Sequence, residues 1–212
     1  MNFIETGFKG KNKWWMYILT FSFVFVGSQL GGIPLLLVAI SKTNGNLSVL
    51  QESGSVGFSN LGINSNLLLF LNIVVFIVAL FVLIGCLKFI HKKQLKWIVT
   101  SREQIDWQRI LFGFLFWAIV SSVCIGTSIL IAPELYSWNF KPIPFLLLLT
   151  ISLLFLPFQT STEELLFRGY LMQGVGLIAK NKWVPLVVTS VIFGLLHLAN
   201  PEIEKIGYIA LI

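Results

Sequence analysis

The stretch that decides the fold is residues 161–200, STEELLFRGYLMQGVGLIAKNKWVPLVVTSVIFGLLHLAN. Its apolar runs contain four ionisable side chains at helical spacings, Glu163, Glu164, Arg168 and His197. An ionisable side chain at the centre of a bilayer costs on the order of 2.5 to 3.5 kcal/mol even on the most lenient insertion scale. Because such a cost calls for a compensating use, these four residues are the first candidates for chemistry.

The chain as a whole has the composition of an integral membrane protein. Hydrophobic residues account for 56% of its 212 residues and charged residues for 11%, with a mean hydropathy of +0.86, which excludes an ordinary soluble domain. Uncharged apolar runs close to the roughly 20 residues that span a hydrocarbon core are residues 14–40, 67–87, 110–132, 143–162 and 183–201. A sixth run, 206–212, rises only about 10 Å as a helix. The sequence therefore predicts an all-α, polytopic transmembrane helical bundle with five full spans and a truncated sixth.

Basic residues mark one side of the predicted bundle. Lysine and arginine crowd the amino terminus and the connection 88–109, whereas the loop 41–66 has a single lysine. The positive-inside rule places the amino terminus, this connection and the turn at Lys180 and Lys182 in the cytoplasm, as expected for a multi-pass protein of the cell membrane. The formal net charge of +6 follows from this topology and from attraction to anionic lipid. The lipid bilayer is thus a predicted partner, and nucleic acid is not, because the basic residues lack a nucleic-acid-binding pattern.

Spacing divides the three charged residues of the first motif. Glu164 and Arg168 are four residues apart on a helix with the acid on the amino-terminal side, the better order for an ion pair. Glu163 is rotated by about 100° from Glu164 and can face a different neighbour. One carboxylate is therefore expected to be structural, while the other is available for a reaction.

The histidine falls at a matching depth in the next helix. Glu163 and His197 are equally distant in sequence from Lys180, so an antiparallel hairpin that turns there brings them to the same level. Phe193 lies one helical turn before His197 and is expected to fix the imidazole rotamer. A carboxylate and a neutral imidazole in a wet cavity suit water activation, with Glu163 as general base and His197 holding the water or stabilising developing charge. The same pair also suits a divalent metal such as zinc, and two or three ligands are too few to choose between these readings.

Two short motifs resemble those of a known family. EELLFR at 163–168 is similar to the EExxxR motif, and FGLLH at 193–197 to the FxxxH motif, of the CPBP family of CAAX prenyl endopeptidases, bacteriocin-processing enzymes and Abi immunity proteins. The resemblance divides the chain into amino-terminal transmembrane helices and loops, 1–142, and a partial protease core, 143–212. It implies an all-helical intramembrane protease whose substrates are membrane-associated peptides or proteins.

The resemblance also implies roles for individual residues. Glu163 would activate water and His197 would assist, Glu164 is a second catalytic candidate, and Arg168 and Phe193 would support them. Family members are commonly labelled metalloproteases, so a metal held by Glu163 and His197 stays open. The third family motif, HxxxN or HxxxD, is missing, and this chain is expected to hold only part of an active site. Its other histidine, His91, lies in the basic connection and is predicted to be a solvated loop residue.

Three functions remain in competition. The first is an intramembrane endopeptidase in CAAX-type processing or in bacteriocin maturation and self-immunity. The second is a non-catalytic immunity or interaction protein that binds a membrane-active peptide, and the third is a small proton-coupled transporter. For each residue there is also a simpler reading, in which the carboxylates only neutralise Arg168 and His197 only bonds a neighbouring helix.

Overall fold

A computed structural model describes residues 3–55, 57–179, 181 and 183–198. All regular structure in this part of the chain is helical. Four helical segments here are long and apolar enough to cross a membrane, and these are Trp14–Lys42, Ser65–Phe89, Trp107–Ile131 and Pro142–Ala179. The prediction of an all-α polytopic bundle is confirmed. The fifth predicted span is represented by the shorter apolar helix Trp183–His197, and the sixth apolar run, 206–212, lies outside the described residues.

The helices are bounded as follows: α1 Trp14–Gly31, α2 Ile33–Lys42, α3 Leu47–Ser55, α4 Ser65–Phe89, α5 Lys96–Val99, α6 Trp107–Ile131, α7 Pro142–Leu154, α8 Leu156–Glu163, α9 Met172–Ala179 and α10 Trp183–His197. Between α8 and α9 lies a π-helical stretch, Glu164–Leu171, called the π segment below. Short 3-10 turns occupy Glu5–Phe8, Ser59–Leu61 and Pro133–Leu135.

The contact between α1 and α4 is close because small residues line it. A Cβ atom added to Gly31 would lie 2.8 Å from the Cα of Val75, and one added to Gly27 would lie 2.7 Å from a methyl group of Val82. Only glycine permits backbones to approach this closely, which is how helices commonly associate in membranes. The first predicted span then breaks at Gly32, where Pro34 near the start of α2 cannot donate a backbone hydrogen bond.

The segment Pro142–Ala179 is longer than one membrane crossing. Its 38 residues would rise about 57 Å as a regular α-helix, against a hydrocarbon core of about 30 Å. The predicted span 143–162 is therefore only the first part of a longer helical rod. The α-helix is interrupted at Phe155 between α7 and α8, where Pro157 near the start of α8 cannot donate a backbone hydrogen bond.

The helix α8 is fixed against α4. The hydroxyl of Thr162 donates to the carbonyl oxygen of Phe76 at 3.0 Å, and the rings of Phe70 and Phe155 meet edge to face with centroids 5.1 Å apart. Thr162 directly precedes Glu163 in sequence, so this contact sets the position of the first motif relative to the α1–α4 pair.

Hydrogen bonds identify the two ends of the bundle. At one end, the backbone N–H of Lys11 donates to the carbonyl of His91 at 2.7 Å, and Gln173 of α9 donates to the carbonyl of Trp97 at 2.6 Å. At the other end, the side chain of Asn66 donates to the carbonyl of Pro144 at 2.8 Å. The amino terminus and the 88–109 connection thus lie at the same end, as the distribution of basic residues predicts. The turn residues Lys180 and Lys182 lie outside the described residues.

Candidate active site

The first motif lies where the helix changes its winding. Glu163 is the last residue of α8, and Glu164 begins the π segment. At the far end of this segment the N–H of Met172 donates to the carbonyl of Phe167, five residues earlier, instead of the four that define an α-helix. The α-helical geometry assumed for residues 164–171 is therefore wrong. No local pattern in the sequence announces this change, but π-helical turns occur frequently at functional sites.

Glu164 and Arg168 form the predicted ion pair. One guanidinium nitrogen, Nη1, donates to both carboxylate oxygens at 2.8 and 3.0 Å. The two side chains are 52% and 66% exposed, respectively, on the surface of the described chain. Because Arg168 is committed to Glu164, the neighbouring Glu163 carboxylate is left to other partners.

Glu163 faces the second motif. Its side chain is half-buried, it is hydrogen-bonded by Gln159 one turn earlier, and it lies close enough to His197 for their charges to interact. Gln159 did not emerge from the sequence. The sequence does contain a signal for Gln159: it is a polar residue four positions before Glu163, and this spacing puts both side chains on the same face of the helix.

His197 is held by its own helix. Its Nδ1 lies 2.9 Å from the carbonyl oxygen of Phe193, and because a carbonyl only accepts, Nδ1 carries the hydrogen. In the neutral imidazole, Nε2 is then an unprotonated acceptor. The ring of Phe193 packs on the imidazole with centroids 4.2 Å apart, the contact predicted from their spacing.

The two motifs are in the register that the equal spacing predicts. Phe167 and Phe193 are equally distant from position 180, and their rings meet edge to face with centroids 5.2 Å apart. This contact lies between the level of Glu163 and the turn. It aligns the π segment with α10, so the antiparallel hairpin places Glu163 and His197 at a similar level of two consecutive helices.

A small cavity lies between the motifs. Its volume is about 100 Å³, and it is lined by Glu163, Glu164, Phe167, Arg168, Thr189, Ser190 and Phe193. This volume accommodates water molecules, which need polar partners of the kind present here. His197 is not part of the lining, but its ring packs on Phe193, which is part of it, and it interacts electrostatically with Glu163. Thr189 and Ser190, both about two turns before His197, are additional polar residues of the lining that the sequence reasoning did not select.

Comparisons with known proteins agree with this arrangement. Residues 142–212 match the family described as type II CAAX prenyl endopeptidase Rce1-like. Over 207 residues the chain is 30% identical to the uncharacterized protein YyaK of Bacillus subtilis (strain 168), covering 97% of this chain and 68% of YyaK. The chain belongs to the CPBP family. The predicted family is thereby confirmed, and CPBP membership makes this an integral membrane protein of a protease family. No solved structure is detectably similar to the chain.

Over the described ranges of the chain, the donor set is smaller than that of a usual catalytic zinc site. Catalytic zinc sites commonly have three protein ligands. In the part of the chain that the structure describes, no three His, Cys, Asp or Glu side chains converge on one point. Glu163 and His197 supply two donors, and Glu164 is paired with Arg168. Among the described residues these donors do not complete a zinc site, and the reaction proposed for them uses the side chains alone.

A second polar cluster is buried at the end of the bundle that carries the amino terminus, and the sequence did not predict it. It contains Thr6, Tyr17, His91, Lys93, Tyr170 and Gln173, called the polar cluster below. His91 is 0% exposed, so the prediction of a solvated loop histidine is wrong. The loop folds under the amino-terminal segment, where the carbonyl of Lys11 lies 2.8 Å from Nδ1 of His91. Burial and the nearby charge of Lys93 lower the pKa of His91.

Lys93 is the buried cation of the polar cluster. Its side chain donates to the carbonyl of Gly7 at 2.8 Å and to the hydroxyl of Tyr17 at 3.0 Å. Burial lowers the pKa of Lys93 to about 8. Below this pH, Lys93 is charged in both states, and its burial destabilises the fold. Above it, the folded protein releases the proton that the unfolded chain retains up to its ordinary pKa of 10.5, so stability rises with pH in this window.

We therefore expect the stability of the parent, relative to Lys93→Met, to increase as the pH rises from about 8 to about 10. Apparent melting temperatures of both proteins in detergent micelles measure this difference. Lys92→Met is the matched control, because Lys92 is exposed and its charge is not desolvated in the fold. A difference between parent and Lys93→Met that stays constant with pH would contradict the buried-cation assignment.

Proposed function

We propose that this chain is an intramembrane endopeptidase that hydrolyses membrane-associated peptides with water activated by Glu163. The observation that carries the proposal is the small polar cavity between the two motifs. It combines one carboxylate already neutralised by Arg168 with a second, Glu163, that is not paired with that arginine. A general base needs this freedom, because a carboxylate held in an ion pair is a weaker proton acceptor.

The reaction follows from the positions of the donors and acceptors. Glu163 takes a proton from a water molecule in the cavity, and the oxygen attacks the carbonyl carbon of the substrate peptide bond. His197 accepts a hydrogen bond from the same water through Nε2, which orients the attack. When the tetrahedral intermediate collapses, the C–N bond breaks and Glu163 returns its proton to the leaving amine. The net reaction adds one water molecule across one peptide bond and gives a new carboxyl terminus and a new amino terminus.

The proposal also covers the class of substrate and the orientation of the protein in the membrane. The Rce1-like family description names prenylated CAAX substrates, so a prenylated peptide is the first substrate to test and a bacteriocin leader is the second. The basic end of the bundle faces the cytoplasm in this proposal, because the amino terminus and the Lys- and Arg-rich connection lie there together.

The described spans argue against proton transport. A relay needs titratable side chains in several spans. In the membrane-spanning helices that the structure describes, acidic and histidine residues are confined to Glu163, Glu164 and His197 of a single hairpin. A cluster confined to one hairpin is sufficient for hydrolysis at one site, whereas proton transport needs such groups along a path through the membrane.

The test uses the purified full-length protein in liposomes with prenylated CAAX and leader peptides, in water enriched in the oxygen-18 isotope. Direct hydrolysis places one heavy oxygen in the new carboxyl terminus of the product, which mass spectrometry detects. A parallel reaction with a chelator tests metal dependence, and we expect cleavage to persist. If no peptide is cleaved while the parent and Glu163→Gln protect cells equally against a membrane-active peptide, the protein is a non-catalytic immunity protein and the proposal fails.

A further inference from the structure

Tyr170 joins the helix that carries Glu163 to the polar cluster. It is the seventh residue of the π segment, and its side chain is 1% exposed. Its hydroxyl lies 2.7 Å from Nε2 of His91 and 3.3 Å from the carbonyl oxygen of Met16. Because Nδ1 of His91 donates to the carbonyl of Lys11, Nε2 of the neutral ring accepts, and the single hydroxyl hydrogen of Tyr170 is directed at Nε2, the nearer of its two acceptors. The ring of Tyr170 also packs against Tyr17, with centroids 4.9 Å apart.

The residues on both sides of Tyr170 are equally constrained. A Cβ atom added to Gly169 would lie 2.7 Å from the backbone oxygen of Ile98, so the loop contacts the helix backbone directly. Gln173 directs its amide nitrogen at the hydroxyl of Thr6 at 2.8 Å and at the carbonyl of Trp97 at 2.6 Å. The amino-terminal segment and the loop together hold the carboxyl-terminal half of the π segment and the first turn of α9.

The contacts of the π segment affect its winding. π-Helical turns are rare, so tertiary contacts are needed to hold one of this length. If one residue is gained or lost within a turn, the side chains on one side of the change rotate by about 100° relative to those on the other. Glu163 lies at one end of the π segment and Tyr170 near the other. The direction of Glu163 relative to α10 therefore depends on how Tyr170 is held.

We propose that Tyr170, fixed by His91, is a positioning residue that holds the π segment in the winding that directs Glu163 into the cavity. This inference rests on the proposed function, since it assigns a reaction to Glu163. Phe167 lies between Glu163 and Tyr170 in the sequence, and its ring contact with Phe193 holds this part of the helix against α10. The amino-terminal segment thereby contributes to the geometry of the active site without touching substrate.

The experiment compares Tyr170→Phe with the matched control Tyr136→Phe in liposomes. Tyr136 also hydrogen-bonds through its hydroxyl, to Ser128 at 2.6 Å, but it lies on a part of the chain away from the cavity. We expect Tyr170→Phe to lower kcat by about 10- to 100-fold with little change in KM, because misplacing a reacting group mainly affects the chemical step. Tyr136→Phe should retain the parent values.

Two further measurements separate positioning from general destabilisation. Amide hydrogen exchange over residues 164–172 should be about 10-fold faster in Tyr170→Phe and unchanged in Tyr136→Phe. His91→Gln combined with Tyr170→Phe should lower kcat no further than Tyr170→Phe alone, since both changes remove the same hydrogen bond. Ile73→Val, which loosens the buried core at α4 and leaves every residue of the polar cluster unchanged, should lower the melting temperature without changing kcat.

Each result has a defined consequence. Unchanged exchange over 164–172 in Tyr170→Phe overturns the inference, whatever the activity, and so does an Ile73→Val variant that loses kcat to the same extent. If the parent cleaves no peptide while exchange responds as expected, the proposed function fails and control of the π segment by Tyr170 stands. A fall in kcat together with faster exchange supports both.

Discussion

Glu163→Gln is expected to lower kcat for peptide cleavage by about 10³-fold, within the range that a general base contributes. Glutamine keeps the size of the side chain and its hydrogen bond with Gln159, but it cannot take a proton from water. The melting temperature and KM should stay close to those of the parent. Single-turnover cleavage of a membrane peptide in liposomes measures the effect on the chemical step directly.

Glu164→Gln is the matched control, because it makes the same chemical change on the adjacent residue. Its carboxylate is paired with Arg168 at 2.8 Å, and both side chains are largely exposed. A carboxylate held in this pair is not free to take a proton from water, so we expect less than a 10-fold loss of kcat, below the range that a general base contributes. If the two variants lose activity equally, both carboxylates take part in the reaction and the assignment of the base to Glu163 alone is wrong.

His197→Ala is expected to lower kcat by about 10²-fold. The loss is smaller than for Glu163 because the imidazole orients water that the carboxylate still activates. The neutral ring keeps its hydrogen on Nδ1, bonded to the carbonyl of Phe193, and this leaves Nε2 as the acceptor for water. His197→Gln, whose amide oxygen can also accept from water, should recover part of the activity.

Free imidazole provides an independent test of the same role. It should partly restore cleavage by His197→Ala, because the alanine leaves a space of imidazole size next to Phe193. It should not restore Glu163→Gln, whose defect is the missing base. Full activity in His197→Ala without added imidazole would show that the histidine is only a helix-bonding residue, the simpler interpretation of a lone intramembrane histidine.

The features that were predictable from sequence are those that depend on local spacing. The apolar runs required transmembrane helices, because unpaired backbone groups cannot be left in lipid. The four-residue spacings were sufficient for the Glu164–Arg168 pair and for the packing of Phe193 on His197. The symmetry about position 180 predicted the register of the hairpin, since helix rise per residue is nearly constant.

The two mistaken predictions both concern contacts between distant parts of the chain. His91 reads as a loop residue because its neighbours are lysines, yet the amino-terminal segment folds over it and Tyr170 supplies its partner. The π segment was invisible for a related reason. Gly169 and Tyr170 of this segment, and Gln173 just after it, contact partners that lie more than seventy residues away in sequence.

The amino-acid sequence by itself determined that this chain is an all-helical membrane protein, that it belongs to the CPBP family, and which carboxylates and histidine are candidates for chemistry. Composition and short-range periodicity carry this information, because each helix forms its hydrogen bonds within its own segment. Only the tertiary structure decided that Glu163 borders a small polar cavity, that the helix after it is π-wound, and that Tyr170 of this segment is buried against His91. These properties depend on which distant surfaces meet, and no local spacing encodes them.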